Sequence, residues 1–335
     1  MIFVDDQIPY LADALRLLEG VRTFSSDTMT NLQLRSSGAT SLFVRSVTRV
    51  DHALLEGTEI QFVGSTTAGI DHVDIEYLQS RNIRFAHAPG CNSHAVAEYV
   101  MDWIDELSIP SRATIGIVGF GHIGKLVARY ARARGMSVLV SDPPLQEAGF
   151  PFPSWCTVEP LSELMKHSDV VTLHVPYTEQ GAYPTRAFIT SDQLHSCKRG
   201  SLLINAARGG ILDERCLADL VSEHTLRAVL DVFDNEPNVD QYVTERIPFL
   251  TPHIAGYTRQ AKENGVRMVY EAFTGSSLFI PPASHLDKST GPSSAVSLHS
   301  LKDKAHTFKE LRRLTPLREE HRTPPTWEEL DVIDT

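Results

Sequence analysis

The sequence is poor in cysteine, has no excess of positive charge and lacks any long apolar run. Four cysteines (Cys91, Cys156, Cys197 and Cys216) stand in 335 residues, and no two have C-x-x-C spacing. They read as reduced thiols of a cytoplasmic protein, and no metal site is expected. Lys and Arg total 31 against 42 Asp and Glu, a formal net charge of −11. A nucleic-acid binder normally carries a basic face or tail. The locally basic stretches here, 129–134 and 309–313, read as solvated helix faces. No apolar stretch approaches the roughly 18 residues of a membrane span. The chain opens directly on the apolar residues 1–4 followed by Asp5-Asp6, unlike a secretory leader. Nucleic-acid and membrane partners are therefore not expected.

Hydrophobic residues are plentiful at 42%, and at this length two or three domains are expected. Short apolar runs alternate with helix-period segments almost to residue 270, the pattern of parallel α/β architecture. Strands are predicted over 2–4, 21–24, 41–44, 60–64 and 83–86, with helices over 10–18 and 75–80. Pro89-Gly90 closes this block, and Asn92 or Ser93 can cap a long helix over 94–107. A second block has predicted strands over 114–118, 137–141, 170–174, 201–204, 227–230 and 249–250. Its helices fit 122–134, 161–167 and 214–221, and a further helix fits 259–274. The fold class is α/β, with two doubly wound parallel-sheet lobes. Residues 1–92 and 257–280 would form a discontinuous substrate domain, and 93–256 a dinucleotide domain inserted in it. Residues 281–335 open on a Pro/Ser/Gly-rich stretch and include a predicted helix over 303–314. They read as a short C-terminal α+β region that docks on the body or on a second subunit.

The chemistry concentrates in the second block. Gly119-Phe-Gly121-His-Ile-Gly124 follows an apolar strand and opens a helix, the context that makes a dinucleotide fingerprint specific. Gly119 permits the tight turn, Gly121 admits a pyrophosphate to the helix N-terminus, and Gly124 lets helix and strand pack closely. His122 and Ile123 complete the motif. Asp142 ends the next strand; a carboxylate there suits a ribose and repels a 2′-phosphate, which favours NAD over NADP. Arg208, in Asn205-Ala206-Ala207-Arg208-Gly209, follows a strand and can grip a carboxylate with two hydrogen bonds. His253 also follows a strand and can move a hydroxyl proton. Glu236 can orient that ring and stabilise its cation. One cation, one carboxylate and one imidazole are what hydride chemistry on a 2-hydroxy acid requires. Asp231 either meets the nicotinamide end of the cofactor or caps its strand. His174 either lines the cofactor site or is structural. An NAD-responsive binding module stays open beside the enzyme at this point.

In this order, and together with residues 44–48, 67–74, 88–92, 141–144 and 253–258, these motifs resemble the D-isomer-specific 2-hydroxyacid dehydrogenases over roughly residues 1–275. The resemblance implies flavodoxin-like and Rossmann-like lobes, NAD, and catalysis by Arg208 and Glu236 with His253 as proton donor. It implies substrate contacts from Ser46, Thr67 and Tyr257, with the charge of Arg45 suited to a phosphorylated hydroxy acid. It implies NAD contacts from the fingerprint, Asp142, His174, Val175, Ala206, Ala207, Arg208, Asp231 and Gly256. Val175 stands where the proteins it resembles carry a threonine. A homodimer formed through the C-terminal region is also implied.

Overall fold

The computed structural model describes residues 1–280, 317–326, 329 and 330. They divide into two compact units, one of Met1–Asn92 with the segment that begins at Thr258, the other of Ser93–Tyr257 with the C-terminal residues. Tyr257 thus stands with the second unit.

In the first unit, strands β1 (Ile2–Asp5), β2 (Val21–Phe24), β3 (Ser41–Val44), β4 (Phe62–Ser65) and β5 (Arg84–Ala86) alternate with helices α1 (Leu11–Ala14), α2 (Asn31–Ser37), α3 (His52–Leu55) and α4 (Ile75–Ser80). Among the described residues the strands form one parallel sheet in the order β2-β1-β3-β4-β5. The single helix predicted over 10–18 is instead α1 followed by a 3-10 turn over Leu15–Leu17. Tyr10 enters α1 in the left-handed conformation, and the chain tightens to i→i+3 bonding before Leu18 turns extended. Two short helices absent from the sequence expectation, α2 and α3, are set by Thr30 in a capping box with Gln33 and by Asp51 at an N-cap.

The second unit begins with α5 (Ser93–Glu106) and continues β6 (Thr114–Val118), α6 (His122–Ala133), β7 (Ser137–Ser141), α7 (Pro143–Glu147), β8 (Cys156–Val158), α8 (Leu161–His167), β9 (Val170–Leu173), α9 (Ser191–His195), β10 (Leu202–Asn205), α10 (Glu214–Ser222), β11 (Arg227–Leu230), α11 (Gln241–Arg246) and β12 (Phe249–Leu250). Its described strands form a parallel sheet in the order β12-β11-β10-β9-β6-β7-β8. The order reverses between β6 and β9, and ligands bind at the carboxyl ends of strands around such a switch point. Side chains alternate between the two faces: Leu202 and Ile204 of β10 join the core that holds α5 and α6, while Leu203 joins the core that holds α8 and α10. Residues 281–316, where most of the expected dimerisation region and its helix fall, lie outside the described residues. No helix of the described residues is long and apolar enough to cross a membrane.

The chain ends the first unit with α12 (Arg259–Thr274), capped by the buried hydroxyl of Thr258, which accepts the N–H of Ala261. Val266 and Val269 of α12 pack on Phe43 and Phe62, and the ring of Phe273 lies 5.1 Å from Phe43 and 4.7 Å from Phe62. Phe43 is fully buried at the centre of this cluster. Phe43→Ala is expected to cost about 3–5 kcal/mol, measured as a lower urea midpoint for the first unit.

Candidate active site

The carboxyl ends of β6, β7, β9, β10, β11 and β12 deliver Gly119, Asp142, His174, Ala206, Asp231 and Thr251 to one edge of the sheet. Gly119 has φ +92°, and a Cβ there would lie 2.7 Å from the carbonyl oxygen of His174. A Cβ on Gly124 would lie 2.1 Å from the Gly119 carbonyl oxygen, so only glycine lets α6 sit this close to the loop. At Gly121 a Cβ would meet no atom within 4 Å, and no side chain caps the helix that starts there. That open, uncapped N-terminus of a twelve-residue helix is an anion cradle. Asp142 stands beside it. Its Oδ2 accepts Phe120 N–H at 2.7 Å and its Oδ1 accepts Leu145 N–H at 3.0 Å, so the loop and α7 share one fixed negative charge. His122 is exposed on the first turn, while Ile123 packs into the core. Val175 packs on the other core, and Ala206 and Ala207 are buried.

His174 Nε2 meets Thr172 Oγ1 at 3.0 Å, and its buried Nδ1 has no partner among the described residues. Burial holds this imidazole well below the usual histidine range, at about 3, so it is neutral. An unpartnered buried ring nitrogen, an open glycine cradle and a carboxylate beside the loop are the donor and acceptor set that a dinucleotide satisfies. The residues present fit NAD.

Glu236 and His253 are brought together directly. His253 Nδ1 lies 2.8 Å from Glu236 Oε2, and Glu236 Oε1 accepts the N–H of Phe233 at 2.9 Å. With Nδ1–H donated to a carboxylate, Nε2 is the nitrogen left to exchange protons. Arg208 sits on a loop shaped by the buried Asn205, whose Oδ1 accepts Ala207 N–H and whose Nδ2 donates to the Arg208 carbonyl. In this structure the guanidinium donates to Ala207 O at 2.8 Å. The Arg208 loop abuts the loop bearing Glu236: a Cβ on Gly209 would lie 1.9 Å from Phe233 O. Asp231 is buried beneath His253. Its carboxylate accepts Thr251 Oγ1 at 2.6 Å and the N–H groups of Ile254 and Ala255 at 2.7 and 2.8 Å. Here it holds the loop that carries His253.

In the first unit, Thr67 Oγ1 donates to Gly69 O and lies 2.8 Å from Ser65 Oγ, which in turn reaches His72 Nε2 at 3.0 Å. Ser46 is exposed. Arg45 Nε donates to the buried carboxylate of Asp5 at 3.0 Å, so its charge is already half-matched. In the second unit, Gly256 and Tyr257 follow the His253 loop, and Tyr257 N–H closes a turn onto Ile254 O at 2.8 Å.

The fold and the site define an NAD-dependent dehydrogenase. Residues 101–255 match the family model for the NAD-binding domain of D-isomer-specific 2-hydroxyacid dehydrogenases. The solved D-lactate dehydrogenase of Aquifex aeolicus, in complex with NAD and lactic acid, is similar with a TM-score of 0.64 and 26% identity, over 82% of this chain and 95% of that one. Erythronate-4-phosphate dehydrogenase of Marinobacter nauticus is 40% identical over 81% of this chain and 71% of its own length. The enzyme of that name from Escherichia fergusonii is 36% identical over 93% of this chain and 83% of its own. The chain belongs to the D-isomer-specific 2-hydroxyacid dehydrogenase family, and its cofactor is NAD.

One residue of this region carried no sequence signal. Glu214, at the start of α10, accepts Asp234 N–H at 2.8 Å and also bonds the N–H of Gly210, so it ties the Arg208 loop to the Glu236 loop. Burial pushes its carboxyl up to about 7, with Asp234 and Glu236 adding repulsion. The folded state therefore holds a proton that the unfolded state releases near pH 4.3. The resulting stabilisation is full at low pH and is lost as pH rises towards about 7. Glu214→Gln keeps an acceptor without the charge. Its stability relative to the parent is expected to rise by about 2–3 kcal/mol from about pH 5 to about pH 8, read from urea denaturation at each pH.

Proposed function

We propose that the chain oxidises 4-phospho-D-erythronate to 2-oxo-3-hydroxy-4-phosphobutanoate, a step of pyridoxal 5′-phosphate formation. The observation that carries this substrate is the similarity to enzymes named for it along most of the chain. Bound NAD supplies the hydride acceptor. Arg208 grips the substrate carboxylate with two parallel hydrogen bonds and polarises the neighbouring C2 oxygen. His253 Nε2 accepts the C2 hydroxyl proton as the C2 hydride leaves, and in the reverse direction returns it. Glu236 fixes the Nδ1–H tautomer and balances the charge that the imidazole gains. Asp142 contributes the negative charge that disfavours a 2′-phosphate. Ser46, Thr67 and Tyr257 offer hydroxyls to the remaining substrate oxygens. Because Arg45 is paired with Asp5, phosphate recognition in this reading rests on those hydroxyls and on backbone N–H groups as much as on Arg45.

A cytoplasmic homodimer belongs to the same reading. The four free cysteines support a reducing compartment; the dimer rests on the family resemblance of the sequence alone, and light scattering would measure it.

The purified chain is expected to reduce NAD with 4-phospho-D-erythronate at a kcat/KM well above that for 3-phosphoglycerate or D-lactate. Faster turnover of either competitor would overturn the substrate. Glu236→Gln places an amide against the imidazole, and kcat is expected to fall by about 10²–10⁴-fold while NAD affinity holds. Unchanged kcat in that variant would rule out the Glu236–His253 pair as the proton-transfer unit.

A further inference from the structure

The loop that carries His253 is held from two sides. His253 itself has φ +57°, a left-handed conformation that costs a non-glycine residue energy and persists only where its surroundings enforce it. On one side the loop's N–H groups are taken by Asp231: its backbone carbonyl accepts His253 N–H at 2.8 Å, and its carboxylate accepts those of Ile254 and Ala255. On the other side the loop's carbonyls are taken by a residue far along the chain. Arg318 Nη1 donates to Ala255 O at 2.9 Å, and Arg318 N–H donates to Tyr257 O at 3.2 Å.

Arg318 is built into the second unit. Its side chain is 7% exposed, its Nη2 meets Asp102 Oδ2 at 3.3 Å, and its guanidinium lies 5.6 Å from the ring centre of Tyr99. The hydroxyl of Tyr99 reaches Thr251 Oγ1 at 2.6 Å, and Thr251 donates to Asp231. Tyr99 thus links the two sides of the clamp, its ring facing the guanidinium and its hydroxyl leading through Thr251 to Asp231. The segment is fastened further along by the fully buried Glu98, which accepts the N–H groups of His321 and Arg322, and by Arg322 on Asp102 and Asp105. Anchoring the segment alone would not need a guanidinium aimed at the Ala255 carbonyl.

We propose that Arg318 is a positioning residue for the His253 loop, so that the C-terminal segment is part of the catalytic apparatus. This rests on the reading of His253 as the proton-transfer residue. In Arg318→Ala the buried Asp102 loses one of its two arginine partners and keeps Arg322, which destabilises the fold. The paired variant Arg318→Met with Asp102→Asn removes both charges of that ion pair, and Arg322 keeps its contact with Asp105. In the paired variant, without substrate, amide exchange of Ile254, Ala255 and Tyr257 is expected to accelerate about tenfold. Turnover of the folded protein, assayed well below its melting temperature, is expected to fall about ten- to a hundredfold, with NADH affinity unchanged by fluorescence titration. Added guanidinium should restore part of the turnover of Arg318→Ala. Unchanged exchange in the loop, or full turnover in the paired variant, would overturn the proposal. His253→Gln separates the two readings. If it keeps turnover, the catalytic reading of His253 falls, whereas the exchange data still decide whether Arg318 clamps the loop.

Discussion

A single buried carboxylate, that of Asp231, organises the end of the sheet where the chemistry is expected. A charge without water must be met by donors, and this one has three: the hydroxyl of Thr251 and the N–H groups of Ile254 and Ala255. Burial raises its proton affinity while these donors and His253 oppose the change. The requirement that each donor reach it dictates the path of the chain after β12, and that path carries His253 to Glu236. Deleting the carboxylate would leave two buried N–H groups without acceptors, each costing about 1–3 kcal/mol. The same need for satisfied backbone explains why neighbouring loops are tied so tightly by Asn205 and Glu214.

Much of this was legible in the sequence because it rests on local rules. The glycine fingerprint is readable from its spacing after a strand, and the structure shows close backbone approaches at Gly119 and Gly124. The parallel α/β pattern is readable because buried strands are apolar on both faces, as the alternation of Leu202, Leu203 and Ile204 between two cores requires. The helices α4 and α8, of six and seven residues, were legible, but α2, α3 and α9 were not. Each of those three starts at a local Thr or Asp cap and buries a single side chain, so no apolar period marks it. Pairings between distant residues were equally hidden. Nothing in residues 45 or 5 alone announces that Asp5 pairs with Arg45, and nothing near residue 318 points to Ala255. Asp231 was readable as a strand-end carboxylate, but which backbone groups it would hold depended on a loop 23 and 24 residues later.

The division of labour between caps and buried charges has a pattern. Helices α2, α4 and α10 start on Thr or Asp caps that act over three residues. Near the expected chemistry, the same kinds of side chain act over long sequence separations and out of water, where each bond is worth more and each loss costs more. Positions such as Glu98, Asp102 and Glu214 therefore tolerate change less than their polarity alone suggests.

Because Val266, Val269 and Phe273 of α12 complete the face of the first sheet built on Phe43 and Phe62, that face stays open until α12 has been synthesised. All of Ser93–Tyr257 leaves the ribosome between β5 and α12. During that interval the nascent chain presents an incompletely covered aromatic surface, the kind of exposure that chaperones recognise and that favours association between unfinished chains. Translation halted before α12 would strand the first unit in that state while leaving the second unit's sheet complete.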